Sequence, residues 1–342
     1  MPPTVTVYGA YGHTGRFIVA ELVRRGWTPI LSGRNESRLH DVAADYPGAT
    51  VRPAAVDDPD ALDRAIAGSV AVINAAGPFG ETVSPLVEAA LRARIHYLDV
   101  AAEVEVVAKT VATYHDQAAD AGIVIAPAVA FYGGLGDLLA TAALADLPVA
   151  DEIHLAFALD SWIPTEGTRA AGRASRGRRN GKRLVYTDGE LTLRDDEAPI
   201  TDWTFPAPFG KQTVVGDFIT ADSVTLPRHV KTAALHTYMT TAPLADLAST
   251  DDLAAQPADE LGRSAQQFLI EVVVRSGATE HRAVLAGRDI YAVTAPIVVE
   301  ALAHITSGTY SGLLTAGQIG APGELLRALV PVHLDRLEID ES

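Results

Sequence analysis

Residues 4 to 26, TVTVYGAYGHTGRFIVAELVRRG, set three glycines between a β-branched run and an amphipathic one. Thr4 to Tyr8 alternates as a buried strand does, and Thr14 to Arg25 carries Phe17, Ile18, Leu22 and Val23 at helical spacing. A strand, a glycine turn and a helix in that order are the context a phosphate-binding loop requires. In such a loop Gly9 permits the turn, Gly12 lets the backbone approach a pyrophosphate, and Gly15 lets the helix pack on the strand. Ala10, Tyr11, His13 and Thr14 complete the cradle, whose backbone N–H groups at the helix start would face the anion. His13 reads equally as a side chain facing solvent. The spacing is G-x-x-G-x-x-G rather than the tighter G-x-G-x-x-G, so the turn alone leaves a plain bend open. The next strands and helices decide between the two.

TPILSGRNESRL repeats the unit, with a short apolar strand ending near Ser32, then Gly33, Arg34 and a helix carrying Arg38. At this tip an acidic residue would bind a ribose 2′-hydroxyl, whereas an arginine accommodates a 2′-phosphate. The tip has arginines and no carboxylate, which predicts NADP(H) in preference to NAD(H); the plainer reading is an exposed loop with surface arginines. ATVRPAAVDD supplies a third strand whose end presents Asp57 and Asp58 to border an adenine. SVAVINAAGPFG runs into a small-residue turn. There Ala75, Ala76 and Gly77 would let a nicotinamide ring lie against backbone, with Pro78 and Phe79 shaping the wall. ARIHYLDVAAE and AGIVIAPAVAFYGG add two more strands. The expected fold class is α/β, a Rossmann-type doubly wound parallel sheet with ligands beyond the carboxyl ends of its strands. In that context the glycine turn reads as a cofactor cradle.

The chain has 342 residues, enough for one large domain or two ordinary ones. Its formal net charge of -16 argues against general nucleic-acid binding, which needs a basic footprint. An anionic cofactor in so acidic a protein needs locally placed arginines or helix N-termini. The absence of cysteine excludes disulfides, thiolate nucleophiles and cysteine metal sites, and no metal site is expected. No signal pattern and no apolar run of spanning length is visible, so a cytoplasmic protein without membrane contact is expected.

After a helix over Asp137 to Leu147 the pattern changes to short strands. DEIHLAFAL, the pair RLVYT and ELTLR around Asp188-Gly189, and the hairpin FLIEVVVRSGATEHRAVLAG predict a mostly antiparallel sheet. This second, α+β domain would pack over the cofactor crevice and could form the interface of a homodimer. YAVTAPIVVEALAHI and PGELLRAL then resume helical periodicity. Between these elements GTRAAGRASRGRRNGKR holds Arg169, Arg173, Arg176, Arg178, Arg179, Lys182 and Arg183. It reads either as a solvated helix and loop or as a dock for a phosphate-bearing substrate, coenzyme A or an acidic carrier protein.

The stretches VYGAYGHTGR, LSGRN, VINAAGPFG, IHYLDVAAE and VTLPRH together resemble the saccharopine dehydrogenase-like NAD(P)-binding oxidoreductases, a group that includes trans-acting enoyl reductases. The resemblance is dense over residues 4 to 140 and recurs at GTRAA and AGRDIYAVTAPIVVEAL. It implies a Rossmann domain over 1–135, a substrate and oligomerisation domain over 136–288, and C-terminal helices over 289–342 that return to the Rossmann side. It also implies NAD(P)-dependent reduction, and for some members a carrier-linked substrate. Ala102 stands where the family commonly has glycine, and AVAFYGG replaces its usual glycine-aspartate pattern.

Hydride chemistry belongs to the nicotinamide, while the protein supplies position, electrostatics and sometimes a proton. No tyrosine has lysine four residues on, and no G-x-S-x-G, H-E-x-x-H or P-loop pattern occurs. Catalytic candidates therefore come from the sheet's carboxyl edge. Tyr132 sits in a glycine-flanked turn and could donate a proton. Tyr97 and Asp99 end the fifth strand, where alternation could turn one of them inward. Glu103 starts the next helix and would favour its dipole. Arg228 and His229 could hold a substrate carboxylate or phosphate. The expected function is an NADP(H)-dependent oxidoreductase acting on a C=N, C=C or C=O bond of a small or carrier-linked metabolite. The rival reading is a non-catalytic NADP(H)-binding sensor or scaffold.

Overall fold

The computed structural model describes residues 3–145, 147–187, 190–248 and 255–340. The N-terminal strands are β1 (Thr4–Tyr8), β2 (Thr28–Gly33), β3 (Thr50–Pro53), β4 (Ala71–Asn74), β5 (His96–Asp99) and β6 (Val124–Ala126). They pair in parallel in the order β6-β5-β4-β1-β2-β3. The chain builds outward from β1 to β3 and then crosses to β4 on the other side of β1. That reversal leaves a crevice above the carboxyl ends of β1 and β4.

Helices α1 (His13–Arg24), α2 (Glu36–Ala43), α3 (Pro59–Ile66), α4 (Phe79–Ala93) and α5 (Val104–Ala121) make the crossovers. α1 buries Gly15, Ile18, Val19 and Leu22, whereas Val23, expected on the same face, is 41% exposed. Val23 lies one residue, or about 100°, past the stripe set by Ile18 and Leu22. Asn35 caps α2 by accepting from the Arg38 N–H, and Asp58 caps α3 by accepting from the Ala61 N–H at 2.9 Å. Asp58 is thus a helix cap rather than a neighbour of an adenine.

The second unit contains α6 (Gly136–Leu144), β7 (Ala150–Leu159), α7 (Glu166–Arg178), β8 (Arg183–Thr187), β9 (Glu190–Arg194), β10 (Ile200–Thr204), β11 (Lys211–Gly216), α8 (Asp222–Thr225), β12 (Thr232–Thr240), α9 (Ala242–Ala248), β13 (Gln267–Ser276) and β14 (Thr279–Arg288). α10 (Thr294–Ser307), β15 (Gly312–Leu313), α11 (Pro322–Ala328) and β16 (Leu334–Ile339) come after them. The larger sheet has the order β10-β11-β12-β7-β13-β14-β16 and is antiparallel except between β12 and β7. β8 and β9 pair with Thr187 opposite Glu190 but form a separate ribbon. The Asp188-Gly189 turn predicted between them lies outside the described residues. The C-terminal segment divides: α10 packs on α1 and β15 extends the parallel sheet beside β6, while β16 extends the second sheet.

One apolar core runs through both units, from Val7, Leu31 and Leu98 to Phe157, Phe268 and Val298. Phe131, just after β6, is the joint, with its ring centroid 5.0 Å from Phe268 and 5.9 Å from Phe157. Among the described residues no helix is long and apolar enough to cross a membrane.

A charged cluster secures the C-terminal return. Glu21, 5% exposed on α1, accepts from Arg24 Nε at 2.8 Å and Arg25 Nε at 2.6 Å. Arg25 also pairs with Glu300 of α10, and His333 Nε2 lies 3.6 Å from Glu21 Oε1. Burial, opposed by Glu21 and aided by Arg24, Arg25 and Arg263, pushes His333 down to about 4. The unfolded chain then binds a proton that the folded chain refuses, so this contribution to stability is complete above about pH 6.5 and is lost as pH falls towards 4. The full effect is on the order of 3 kcal/mol. Thermal melts should show His333→Gln losing markedly less stability than the wild type between pH 7 and pH 4.

Candidate functional site

The crevice opens into a cleft of about 1860 Å³ between the parallel sheet and the second unit. Its floor on one side is the glycine turn. Gly9 has φ +86°, and a Cβ there would sit 2.9 Å from Ala76 Cβ. A Cβ on Gly15 would sit 2.1 Å from the Gly9 carbonyl oxygen, and one on Gly12 would sit 3.1 Å from the same atom. The Gly9 and Ala10 N–H groups donate to the Ser32 carbonyl at 2.8 and 3.2 Å, which ties the turn to β2. No side chain caps the start of α1. The helix thus opens with unfilled N–H groups at a turn that only glycine can form, which suits an anion. Gly9, Tyr11, Gly12, His13 and Thr14 line the cleft. Ala10 and Gly15 are buried and serve the packing beneath it.

At the end of β2, Gly33 has φ +151° and a Cβ there would meet the Tyr11 ring at 2.9 Å. Arg34, Arg38 and Asp57 line this end, with the Arg38 guanidinium 4.6 Å above the Tyr11 ring. Ser32 is fully buried and its hydroxyl has no partner, so it serves the site through its carbonyl alone.

Across β1, the turn Ala75, Ala76, Gly77, Pro78 and Phe79 lines the opposite end. Asn74 holds it, accepting from the Ala76 N–H at 3.1 Å and donating to Thr82 Oγ1 at 3.0 Å and Tyr97 Oη at 3.2 Å. Tyr97 donates to Asp99 at 2.9 Å, and Asp99 accepts from the Ala101 and Ala128 N–H groups at 3.0 and 2.8 Å. Tyr97 and Asp99 are both fully buried, and burial pushes Asp99 up to about 6. Neither reaches the cleft. The sequence placed them as catalytic candidates, but they share one inward face at positions i and i+2 and fasten the turns after β4, β5 and β6 to one another. Glu103 also differs from expectation. It begins α5, yet its carboxylate accepts from the Phe79 N–H of α4 at 2.7 Å and from the Arg178 guanidinium.

Tyr132 does line the cleft. Its turn depends on Gly133, φ +90°, and on Asp222, which accepts from the Gly133 N–H at 2.8 Å, the Asp137 N–H at 3.1 Å and Thr220 at 2.9 Å. Burial pushes Asp222 up to about 7. The Tyr132 phenol has no hydrogen-bond partner, and burial holds it well above its ordinary value of 10.0. Its ring packs against Phe131, Phe157 and Trp162 at centroid distances of 4.8, 5.3 and 6.0 Å.

Arg228 and His229 are not in the cleft. His229 Nε2 lies 2.7 Å from the buried Asp137, and Arg228 lies 3.3 Å from His115. The second unit contributes other residues that the sequence did not single out. Tyr291 accepts from Trp162 Nε1 at 3.0 Å, lies 2.9 Å from Thr168 Oγ1, and meets the His13 ring edge-on at 5.3 Å. It fixes the start of α7 against the glycine turn. The only sequence signal for it is its place in AGRDIYAVTAPI, just before a helix expected to return to this side. α7 then walls the cleft, and its far end is tied down by Arg178 on Glu103 and Arg179 on Glu105 at 2.8 Å.

A switch-point crevice, a glycine turn and paired arginines at the second strand define a dinucleotide-binding domain capped by an α+β unit. Residues 5–126 match the family model described as the saccharopine dehydrogenase NADP binding domain. A saccharopine dehydrogenase-like oxidoreductase of Arabidopsis thaliana is 31% identical over 142 residues, covering 37% of this chain and 31% of that one. The trans-acting enoyl reductase of Mycobacterium tuberculosis is 32% identical over 136 residues, covering 37% and 32%. The match spans about a third of the length of these curated relatives. The solved apo saccharopine dehydrogenase (L-Glu forming) of Saccharomyces cerevisiae shares the fold, with a TM-score of 0.67 at 12% identity over 99% of this chain and 100% of that one.

The glycine geometry gives an ordered expectation. Gly15→Ala and Gly9→Ala should each destabilise the protein by about 2 kcal/mol or more, through backbone collision and positive φ respectively. Gly12→Ala, with a looser contact, should cost less than half of that. Thermal melts of the three variants side by side would check the order.

Proposed function

We propose that this protein is an NADP(H)-dependent oxidoreductase acting on a C=N, C=C or C=O bond of a small or carrier-linked metabolite. The observation that carries the reading is that one cleft brings together the glycine turn, the Arg34 and Arg38 tip, the small-residue turn after β4 and the ring of Tyr132, whose hydroxyl is buried and unpartnered. The glycine turn and the start of α1 would hold the pyrophosphate, Arg34 and Arg38 the 2′-phosphate, and the Ala75 to Phe79 turn the nicotinamide end. When bound, NADP(H) supplies or accepts the hydride.

The chain's own contribution is position and polarity. Burial keeps Tyr132 protonated and makes it a weak acid, so its role is to donate a hydrogen bond to a substrate atom that gains charge and reaches its buried hydroxyl. Asp222 positions it by gripping the Gly133 N–H in the same turn. Asn74 and Glu103 keep the β4 turn fixed through Ala76 and Phe79. Phe131 and Trp162 exclude water around the phenol.

A fluorescence titration with NADPH and NADH tests the cofactor assignment. Arg34→Ala should weaken NADPH by about 10- to 100-fold, the value of one charge-assisted phosphate contact, and leave NADH unchanged. Equal loss for both nucleotides would remove Arg34 from the 2′-phosphate. Once a substrate is found, Tyr132→Phe should lower kcat by about 10²-fold while NADPH affinity stays the same. NADPH that binds tightly but is oxidised by no member of a carbonyl, imine and enoyl panel would favour the sensor reading.

A further inference from the structure

We propose that the open face of α7 holds a phosphate-bearing group of the second ligand, so that the substrate carries a phosphorylated handle. The inference rests on the dinucleotide reading for what fills the rest of the cleft.

Space comes first. Ordinary ligand pockets are about 300–1,000 Å³, and this cleft, at about 1860 Å³, has room for a dinucleotide and a sizeable second molecule. Charge comes second. The basic run that the sequence presents as one block is divided by the fold. Arg178 and Arg179 pair with Glu103 and Glu105, Lys182 with Asp195, and Arg183 with Asp196. Arg173 and Arg176 also line the cleft, are exposed to it, and have no carboxylate partner among the described residues. In a protein of net charge -16, two uncompensated guanidinium groups one helical turn apart make a local anion site where the general field opposes one. Their planar forks suit phosphate oxygens.

Position separates this site from the cofactor's phosphates. α7 is tethered at Thr168 to Tyr291, beside the glycine turn, and at Arg178 to Glu103, beside the Phe79 turn. Arg173 lies five residues, or roughly 7–8 Å of helix, from each tether. It therefore stands over the middle of the cleft, whereas Arg34 and Arg38 follow β2. The helix also leaves room around these side chains. A Cβ on Gly172 or Gly177 would meet nothing within 4 Å. Because the arginines line a concave wall, they suit the phosphate of a small molecule entering the cleft rather than the surface of an acidic protein.

The test uses inorganic pyrophosphate as the probe, titrated calorimetrically into protein already saturated with NADP⁺. Wild type should bind it at a single, salt-sensitive site. The double variant Arg173→Ala/Arg176→Ala should weaken it at least tenfold, while Arg34→Ala should not. No binding to the NADP⁺-saturated protein would overturn the proposal and leave an acidic protein partner as the occupant. Binding that the double variant leaves untouched would overturn it as well. A double variant that loses NADP⁺ affinity would assign the arginines to the cofactor and also overturn it. The preceding NADP⁺ titration reads the dinucleotide assignment separately. If NADP⁺ itself does not bind, the same pyrophosphate comparison on the free protein decides the α7 site.

Discussion

The Gly9 carbonyl lies so close to the start of α1 that no side chain fits at Gly15, and the Gly9 Cα lies so close to Ala76 that none fits there either. These two contacts set the distance between β1, β4 and the first helix, and with it the width of the crevice. The Ser32 carbonyl closes the arrangement by accepting two N–H groups from the turn. Both ends of the proposed cofactor site are measured from this point, the 2′-phosphate arginines along β2 and the small-residue turn after β4.

Around that turn the protein uses buried polar groups as fasteners. Asn74, Tyr97 and Asp99 link three successive strand ends, and Asp222 does the same for the Tyr132 turn across the domain boundary. Each carboxylate accepts backbone N–H groups that would otherwise be unpaired in the interior, which offsets the cost of its burial. Such groups are strained electrostatically, as the raised Asp99 and Asp222 show. Strong perturbation marks functional sites and structural networks alike. Position separates the two here: the Tyr132 ring lines the cleft, although its hydroxyl is buried, and Asp99 lies beneath it.

The cradle was legible because its requirements are local. Glycine at a positive φ, a helix starting without a side-chain cap and arginines just past a strand are all set by a few consecutive residues. Of the predicted lining, Gly9, Tyr11, Gly12, His13, Thr14, Gly33, Arg34, Arg38, Asp57 and the Ala75 to Phe79 turn do face the cleft. The misplacements have a common cause. Asp99, Asp58 and Glu103 sit at strand ends and helix starts, where a side chain can as readily satisfy backbone N–H groups as face a ligand, and Tyr97, two residues before Asp99 on the same face, turns inward to bond it. Arg228 and His229 were placed by their chemistry, but their partners His115 and Asp137 are distant in sequence and come within reach only when the fold is complete.

By itself the sequence determined the parallel sheet, its order of strands and helices, and the glycine turn, because hydrophobic period and glycine position are short-range properties of the chain. The tertiary structure decided which of the basic residues between 167 and 183 are paired with carboxylates, since Arg178 and Arg179 find theirs at the start of α5, about seventy-five residues earlier in the chain. It likewise decided that Tyr132 would be sheltered by aromatic rings of the second unit while Tyr291 reached back to His13. Long-range pairings of this kind depend on how two layers are superposed. No window along a single chain contains that information.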